Sequence, residues 1–211
     1  MATKVTRLNF DLQQVKLAAK KYNTTINGYI LAKLFEIIAS ERDSREMFDP
    51  ISVLMPIDCR SYLPNTTMRN FVTSKNMIMH ETEDFTEKVK QINKQFAEID
   101  PDTILNFIVA AQKVVRIIRF IPRSIKQFIL KELYKISLKN ITTTFSNIGL
   151  IKYPKEAEEY IDFMDFTLSQ EGNPYSFGCI SVGNTLTMTV TASVEGEDIV
   201  NELKARLERA V

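Results

Sequence analysis

Residues 175–192 read YSFGCISVGNTLTMTVTA, and this stretch decides the fold. Two runs, Tyr175–Val182 and Thr185–Ala192, flank the dipeptide Gly183-Asn184, which suits a two-residue turn that needs a positive φ. Every other residue of the second run is apolar, and threonines occupy the positions between them. The apolar residues are Leu186, Met188, Val190 and Ala192. Period-two alternation is typical of a strand, so the stretch predicts a β-hairpin with one apolar face.

The rest of the chain mixes helical and extended patterns. Asp11, with Gln14 three residues on, predicts the start of a first helix, and Thr25 starts a second one that is apolar nearly all round and should be buried. Further strands are expected at Ile51–Ile57, Phe71–Met79, Ile141–Gly149 and Tyr160–Leu168. Further helices are expected at Asp84–Ala97, Pro101–Arg119, Arg123–Leu138 and from about Glu197. We expect an α+β fold, a two-layer sandwich with helices mainly on one face of a mixed sheet of about five or six strands.

Composition excludes several classes of protein. The chain has 211 residues and a net charge of +1, which fits a single domain over residues 1–211 and gives no reason to expect nucleic acid as a partner. Two cysteines without a secretory signal indicate reduced thiols and a cytoplasmic location. The sequence has no run of about 18 apolar residues, so no membrane-spanning helix is expected. The single histidine, His80, has no cysteine or acidic pair at a useful spacing, so no metal site is expected.

One region departs from the even charge balance. Between Lys113 and Lys139 eight cations face a single acid, Glu132, and apolar residues separate them. Three interpretations remain open: two solvated helix faces with a core stripe, a patch for an anionic partner such as a lipid surface or an acidic carrier protein, or capture of the phosphates of a CoA-type ligand. The cations chosen as candidates are Arg116, Arg119, Arg123 and Lys126.

Three short stretches, Val190–Gly196, Pro56–Arg60 and Ser146–Gly149, resemble the CoA-dependent acyltransferases. This superfamily includes chloramphenicol acetyltransferase, alcohol acetyltransferases and the condensation domains of peptide synthetases. Val190–Gly196 looks like the family's His-His-x-x-x-Asp-Gly motif with the Gly kept, the Asp replaced by Glu195 and both histidines missing. Pro56–Arg60, followed by Asn70, is similar to a strand ending in Pro-Val-Asp-x-Arg and a later Gly-Asn pair. Ser146–Gly149 is similar to the family's Ser-Asn-Leu-Gly.

The resemblance implies a chloramphenicol acetyltransferase-like fold and a set of residues along the substrate or CoA channel. These are Ser146, Asn147, Arg60 and Asn70. Two of them have a structural alternative. Arg60 is a natural partner for Asp58 or for backbone carbonyls, and Asn147-Ile148-Gly149 is also a plausible turn with a glycine at positive φ.

The order of these motifs resembles the C-terminal half of a two-domain acyltransferase. In that family the second histidine of the motif is the general base, so a base would come from an N-terminal half outside this chain, and no catalytic residue is assigned here. The substrate would be an acyl-CoA or an acyl-carrier thioester, with an alcohol or amine as the acceptor, and no cofactor is expected to be bound covalently. The alternative is a non-catalytic module of the same fold that forms a homo-oligomer or binds an acidic or membrane partner.

Overall fold

A computed structural model describes residues 3–40, 50–63, 68, 70–80, 84–139, 141–158, 160–161, 163–168, 175–193 and 205. These residues form an α+β fold around one six-stranded sheet, as the sequence predicts. The strands are β1 (Thr3–Asp11), β2 (Ile51–Asp58), β3 (Val72–Met79), β4 (Thr143–Leu150), β5 (Tyr175–Val182) and β6 (Thr185–Ser193). The helices are α1 (Leu12–Lys21), α2 (Ile26–Ser40), α3 (Phe85–Ala97), α4 (Pro101–Ile118), α5 (Arg123–Lys139) and the short α6 (Lys155–Glu158).

The sheet is mixed, in the strand order β1-β6-β5-β4-β2-β3. The predicted hairpin is confirmed as β5 and β6, which pair from Val182–Thr185 to Tyr175–Ala192. Of the two turn residues, Gly183 has a positive φ, of 55°. The neighbours of this hairpin are distant in sequence, because β6 pairs antiparallel with β1, and β5 pairs parallel with β4. Strand β2 then joins β4 in parallel and β3 antiparallel.

Helices α1 to α3 and one face of the sheet form the core. The Asp11 side chain caps α1, as predicted, by accepting a hydrogen bond from the backbone N–H of Gln14. Asn23 ends the turn after α1 with a φ of 54°. The second helix is buried on nearly every side, because its sequence is apolar all round. Its aromatic residue Tyr29 meets the ring of Phe85 edge to face, with the ring centres 5.9 Å apart. The large residues buried between helices and sheet include Phe35, Phe145, Phe177, Met77 and Met188.

The expected strand at Tyr160–Leu168 is wrong for the residues described there. Residues 163–168, which we call the crossing segment, run across the other face of the sheet without joining a strand ladder. The Thr189 hydroxyl donates a hydrogen bond to the carbonyl oxygen of Phe166, and the Arg7 guanidinium pairs with Asp165. The same guanidinium lies 4.9 Å from the ring centre of Phe163.

The outer edge of β3 is closed by a side chain. The Gln95 amide on α3 accepts a hydrogen bond from the Ile78 backbone N–H over 2.8 Å and donates one to the Ile78 carbonyl over 2.7 Å. A little further along the strand, Lys75 forms an ion pair with Glu98 at 2.8 Å. The Gln95 contacts occupy the backbone groups of Ile78 that an edge strand would otherwise present to another chain, and the ion pair places charges beside the same edge.

The exposure of side chains on α4 and α5 contradicts one of the three interpretations of residues 113–139. That interpretation was two solvated helix faces with an apolar stripe packed in the core. Ile104 is the buried residue of α4, and no residue of α5 whose side chain is described is buried. Twelve large apolar side chains between residues 105 and 135 are instead more than one third exposed. They are Leu105, Phe107, Val109, Val114, Val115, Ile117, Phe120, Ile125, Phe128, Leu130, Leu133 and Tyr134.

Some predictions lie outside the described residues. The closing helix from Glu197 is one of these, apart from Ala205, which is helical. Val194, Glu195 and Gly196 of the histidine-less motif are others, whereas Val190, Thr191 and Ala192 lie within β6.

Candidate functional site at the carboxyl edge of the sheet

The tertiary structure brings four candidate residues to one edge of the sheet. Strands β2 and β4 are parallel neighbours, in register at Val53–Thr143, so their carboxyl ends meet at the same edge. Arg60 follows the end of β2, Ser146 and Asn147 are the two central residues of β4, and Asn70 precedes the antiparallel β3. Ligands of open α/β sheets bind at such carboxyl ends. We call residues 58–61, 70–73 and 146–150 the carboxyl edge.

Ser146 and Asn147 point to opposite faces of the sheet, because side chains alternate along a strand. Asn147 lies on the helix side, where its Nδ2 donates to Oδ1 of Asn27 on α2 at 2.6 Å. Its Oδ1 accepts a hydrogen bond from the Gly149 N–H at 2.8 Å, and Gly149 has a φ of 88°. The pairing of β4 with β5 is irregular between Asn147 and Leu150, so the edge carries a bulge. Bulges of this kind re-aim side chains and are frequent beside active sites.

Ser146 faces the same side of the sheet as the crossing segment. It is the end of a row of paired residues that continues through Gly178 on β5, Thr189 on β6 and Arg7 on β1. The crossing segment contacts the other three positions of this row. The Ser146 side chain itself is half-buried.

Arg60 has a structural role in the described geometry. Asp58 caps the short 3-10 turn Cys59–Ser61, and its Oδ1 accepts both the Arg60 backbone N–H at 3.1 Å and Arg60 Nη1 at 2.9 Å. The backbone hydrogen bond from Arg60, followed by the guanidinium, lowers the pKa of the Asp58 carboxyl. The guanidinium therefore stabilises the turn that ends β2, which is the structural alternative for this residue.

A groove of about 560 Å³ connects the carboxyl edge to α4. One wall comes from Cys59 and residues 70–73, which include Asn70, and the other comes from α4 between Phe107 and Arg116. The lining is mostly apolar, with amide groups from Asn70 and Gln112 and one guanidinium from Arg116. Asn70 and Arg116, which the sequence presents as members of unrelated stretches, thus lie along one groove. An apolar cleft with a few polar groups is the usual form of a small-molecule site.

The remaining candidates lie elsewhere. Arg119, Arg123 and Lys126 do not line this groove, since they follow it in the turn after α4 and in α5. His80 follows β3 and is exposed. It lies beside the start of β2, at the end of the strands opposite the carboxyl edge. No group of three His, Cys, Asp or Glu side chains among the described residues is placed to hold a metal ion. None of the helices described is long and apolar enough to cross a membrane.

Sequence reasoning missed the α4 wall of the groove. Phe107 and Ala111 are four residues apart, a spacing that the sequence shows as part of an ordinary apolar stripe, and Gln112 follows directly. Asn27 was also missed, because its partner Asn147 is 120 residues away in the chain. Neither feature has a local signal, since each depends on which elements become neighbours.

Comparison with known proteins gives fold relatives at low identity. No family model and no curated protein sequence matches the chain. Among solved structures it is similar to a condensation domain that mediates chain release from the enacyloxin polyketide synthase, with a TM-score of 0.59 at 12% identity, covering 99% of this chain and 41% of that one. Polyketide synthase associated protein 5 from Mycobacterium tuberculosis matches with a TM-score of 0.58 at 13% identity, over 96% of this chain and 52% of that one.

An acyltransferase is also among the similar structures. The wax ester synthase/diacylglycerol acyltransferase from Marinobacter aquaeolei matches with a TM-score of 0.55 at 10% identity, over 99% of this chain and 49% of that one. The chain spans about half, or less, of each of these three structures. At such identities the likeness concerns the fold, and it confirms the resemblance read from the sequence at that level. The chain has the fold of the condensation-domain and acyltransferase structures to which it is similar.

Proposed function

We propose that this chain is the C-terminal half of an acyltransferase, one domain over residues 1–211, which transfers an acyl group from a CoA or carrier-protein thioester to an alcohol or amine. The proposal rests on how much of each chain is matched. Nearly all of this chain, 99%, matches 41% of the condensation-domain structure and 49% of the acyltransferase. Such a half shares a channel with its other half, and the carboxyl edge and its groove are the features suited to line one wall.

The groove supports a thioester as the ligand. Its apolar lining suits an acyl chain or the methylenes of a pantetheine arm, and the Asn70 and Gln112 amides suit the amide groups of that arm. Arg116 suits a phosphate at one end, since a guanidinium binds phosphate oxygens in pairs. Ser146 does not line this groove and lies in the row that the crossing segment contacts on the other face of the sheet, so a contact between its hydroxyl and a substrate stays a prediction.

The catalytic base comes from outside this chain under the proposal. Acyl transfer to an alcohol or amine needs a group that removes a proton as the nucleophile attacks the thioester carbonyl. The sequence contains one histidine, His80, and it lies at the opposite edge of the sheet from Ser146 and Asn70. We therefore expect no turnover by this chain alone.

The test is release of free thiol from acetyl-CoA, and from an acylated carrier protein, with a panel of alcohols and amines. It is run on this chain and on the longest natural polypeptide that contains it. We expect activity in the longer protein, silence in this chain, and no effect of His80→Ala. Activity of this chain that His80→Ala abolishes, or silence of both proteins with both donors, would overturn the proposal.

A matched pair of variants tests the groove in the longer protein. Arg116→Gln should raise KM for the CoA thioester about tenfold or more with little change in kcat, because one charge-assisted contact with a phosphate is worth roughly 1.5–3 kcal/mol. Arg119→Gln removes the same charge from a residue outside the groove and should leave KM unchanged. Equal effects of the two variants would contradict the assignment of Arg116.

A further inference from the structure

We propose that residues 105–135, which we call the basic segment, dock this protein on the surface of an anionic lipid bilayer. The segment comprises α4 after Ile104, the turn at residues 119–122 and α5 up to Lys135. This inference does not require acyl transfer, although Phe107, Val115 and Arg116 of the segment also line the groove.

The basic segment holds a concentrated positive charge. Its residues include seven lysines and arginines and one acid, Glu132, a net charge of +6. Because the whole chain has a net charge of +1, the other residues together have a net charge of −5. Lys135 pairs with Glu132 at 2.8 Å, and no ion pair involves the other six cations among the described residues. The charge is therefore available to an anionic partner.

The same residues expose apolar surface that the body of the protein leaves uncovered. Twelve large apolar side chains of the basic segment are more than one third exposed. Ile104 is the buried residue of α4, and the end of that helix lies about 21 Å beyond it, at 1.5 Å per residue. A large exposed apolar surface on a protein marks a site of contact with a partner or a membrane.

The turn between the two helices has the composition of a membrane-inserting tip. Its sequence is Arg119-Phe120-Ile121-Pro122-Arg123, an apolar tripeptide between two arginines. Phe120 is 87% exposed, although the turn is ordered by hydrogen bonds from the Phe120 and Ile121 N–H groups to Ile117 and Ile118 carbonyls. An aromatic ring between two cations suits the boundary between acyl chains and phosphate headgroups.

The distribution of lysine favours lipid over a protein partner. Four of the seven cations are lysines, one on α4 and three on α5, and each is next in sequence to an exposed apolar residue. Lysine is depleted in the buried centre of protein interfaces, where its hydrated ammonium is costly to desolvate. At a bilayer surface the apolar stem lies among the lipids and the ammonium reaches the headgroups.

The chain has no tryptophan, so one introduced tryptophan reports on its own position alone. Phe120→Trp is mixed with vesicles of phosphatidylcholine, with or without phosphatidylserine, and its emission is recorded. We expect a blue shift with the anionic vesicles only. Leu17→Trp on α1, a residue 60% exposed, should show no shift. A shift in both variants, or in neither, would overturn the proposal.

Vesicle flotation measures the affinity and separates binding from aggregation. Arg119→Gln/Arg123→Gln should weaken binding roughly 30-fold, since each cation near an anionic surface contributes about fivefold. Lys20→Gln/Lys21→Gln removes the same charge from exposed positions of α1 and should change it little. Raising salt from about 0.1 M to about 1 M should abolish flotation, because the Debye length falls from ~10 Å to ~3 Å.

Other occupants of the surface give different results. Dimers that dissociate on Phe120→Ser, without vesicle binding, would mean that a second copy covers the segment. Flotation of this chain but not of a longer natural polypeptide would mean that another domain covers it. Binding to an acidic carrier protein but not to anionic vesicles would assign the charge to a protein. Each of these results overturns the proposal.

Discussion

Gly178→Ala perturbs the point where the crossing segment touches the sheet. Gly178 lies in the middle of β5, opposite Thr189 on β6. A methyl group there would overlap the carbonyl oxygen of Phe166 and lie 2.9 Å from Thr189 Oγ1. The crossing segment would have to move away, and the hydrogen bond from Thr189 to the Phe166 carbonyl would be strained or lost.

The expected loss of stability is about 2 kcal/mol. Overpacking a buried site costs roughly 1–3 kcal/mol, and the loss of one hydrogen bond adds about 1 kcal/mol. The alanine recovers roughly 0.4–1 kcal/mol, because it restricts the unfolded chain more than glycine does. For a chain of this size, about 2 kcal/mol lowers Tm by roughly 4–8 °C.

Urea titration and thermal melting followed by circular dichroism measure this loss. Gly183→Ala is the matched control, since Gly183 has a φ of 55° and nothing would lie within 4 Å of the added methyl group. It should cost about 1 kcal/mol from backbone strain alone. A Gly178→Ala protein as stable as the parent would refute the close approach of the crossing segment to β5.

Four further predictions concern single side chains. Gln95→Ala should lower the free energy of unfolding by about 1 kcal/mol and promote self-association, because it uncovers the backbone of Ile78 on the edge strand. Analytical ultracentrifugation over a concentration series checks the self-association, and a protein that stays monomeric throughout would be the contrary result. Asn147→Ala should cost about 2 kcal/mol, since two hydrogen bonds are lost; normal stability with lost acyl transfer in the longer protein would instead indicate a contact with substrate. The hydrogen bond from the Thr103 backbone N–H lowers the pKa of the Asp100 carboxyl. This cap therefore stabilises the folded state fully at pH values above the pKa of Asp100 in the unfolded chain, and the contribution is lost as pH falls through the lower pKa of the folded state. Asp100→Asn should flatten that part of a Tm–pH profile. Burial raises the pKa of the Cys179 thiol, so its alkylation at pH 8 should be slow and should follow unfolding; rapid labelling of the native protein would contradict this.

Local patterns predicted most of the secondary structure. The cap at Asp11, the buried α2, the pairing of β5 with β6 and the helix start at Pro101 each depend on residues close together in the chain, so the sequence contains the evidence for them. The resemblance to acyltransferases supplied the fold, which the similar structures confirm. It also supplied the channel residues, and their roles stay predictions.

The error at residues 160–168 has a physical cause. Met164, Phe166 and Leu168 are half-buried, and the residues between them are exposed, so burial along this apolar segment has the period of two that a strand would also give. That pattern records which side chains meet a surface. It does not distinguish a strand hydrogen-bonded within a sheet from an extended segment lying across one.

By itself, the sequence determined where most helices and strands begin and end, because capping, turn formation and hydrophobic periodicity act within a few residues. Only the tertiary structure decided the strand order that brings Arg60, Asn70, Ser146 and Asn147 to one edge, since pairing between distant strands has no local signal. It also decided the environment of the basic segment. An apolar stripe has the same sequence whether a core covers it or not, and here Phe120 and its neighbours stand uncovered beside six unpaired cations among the described residues.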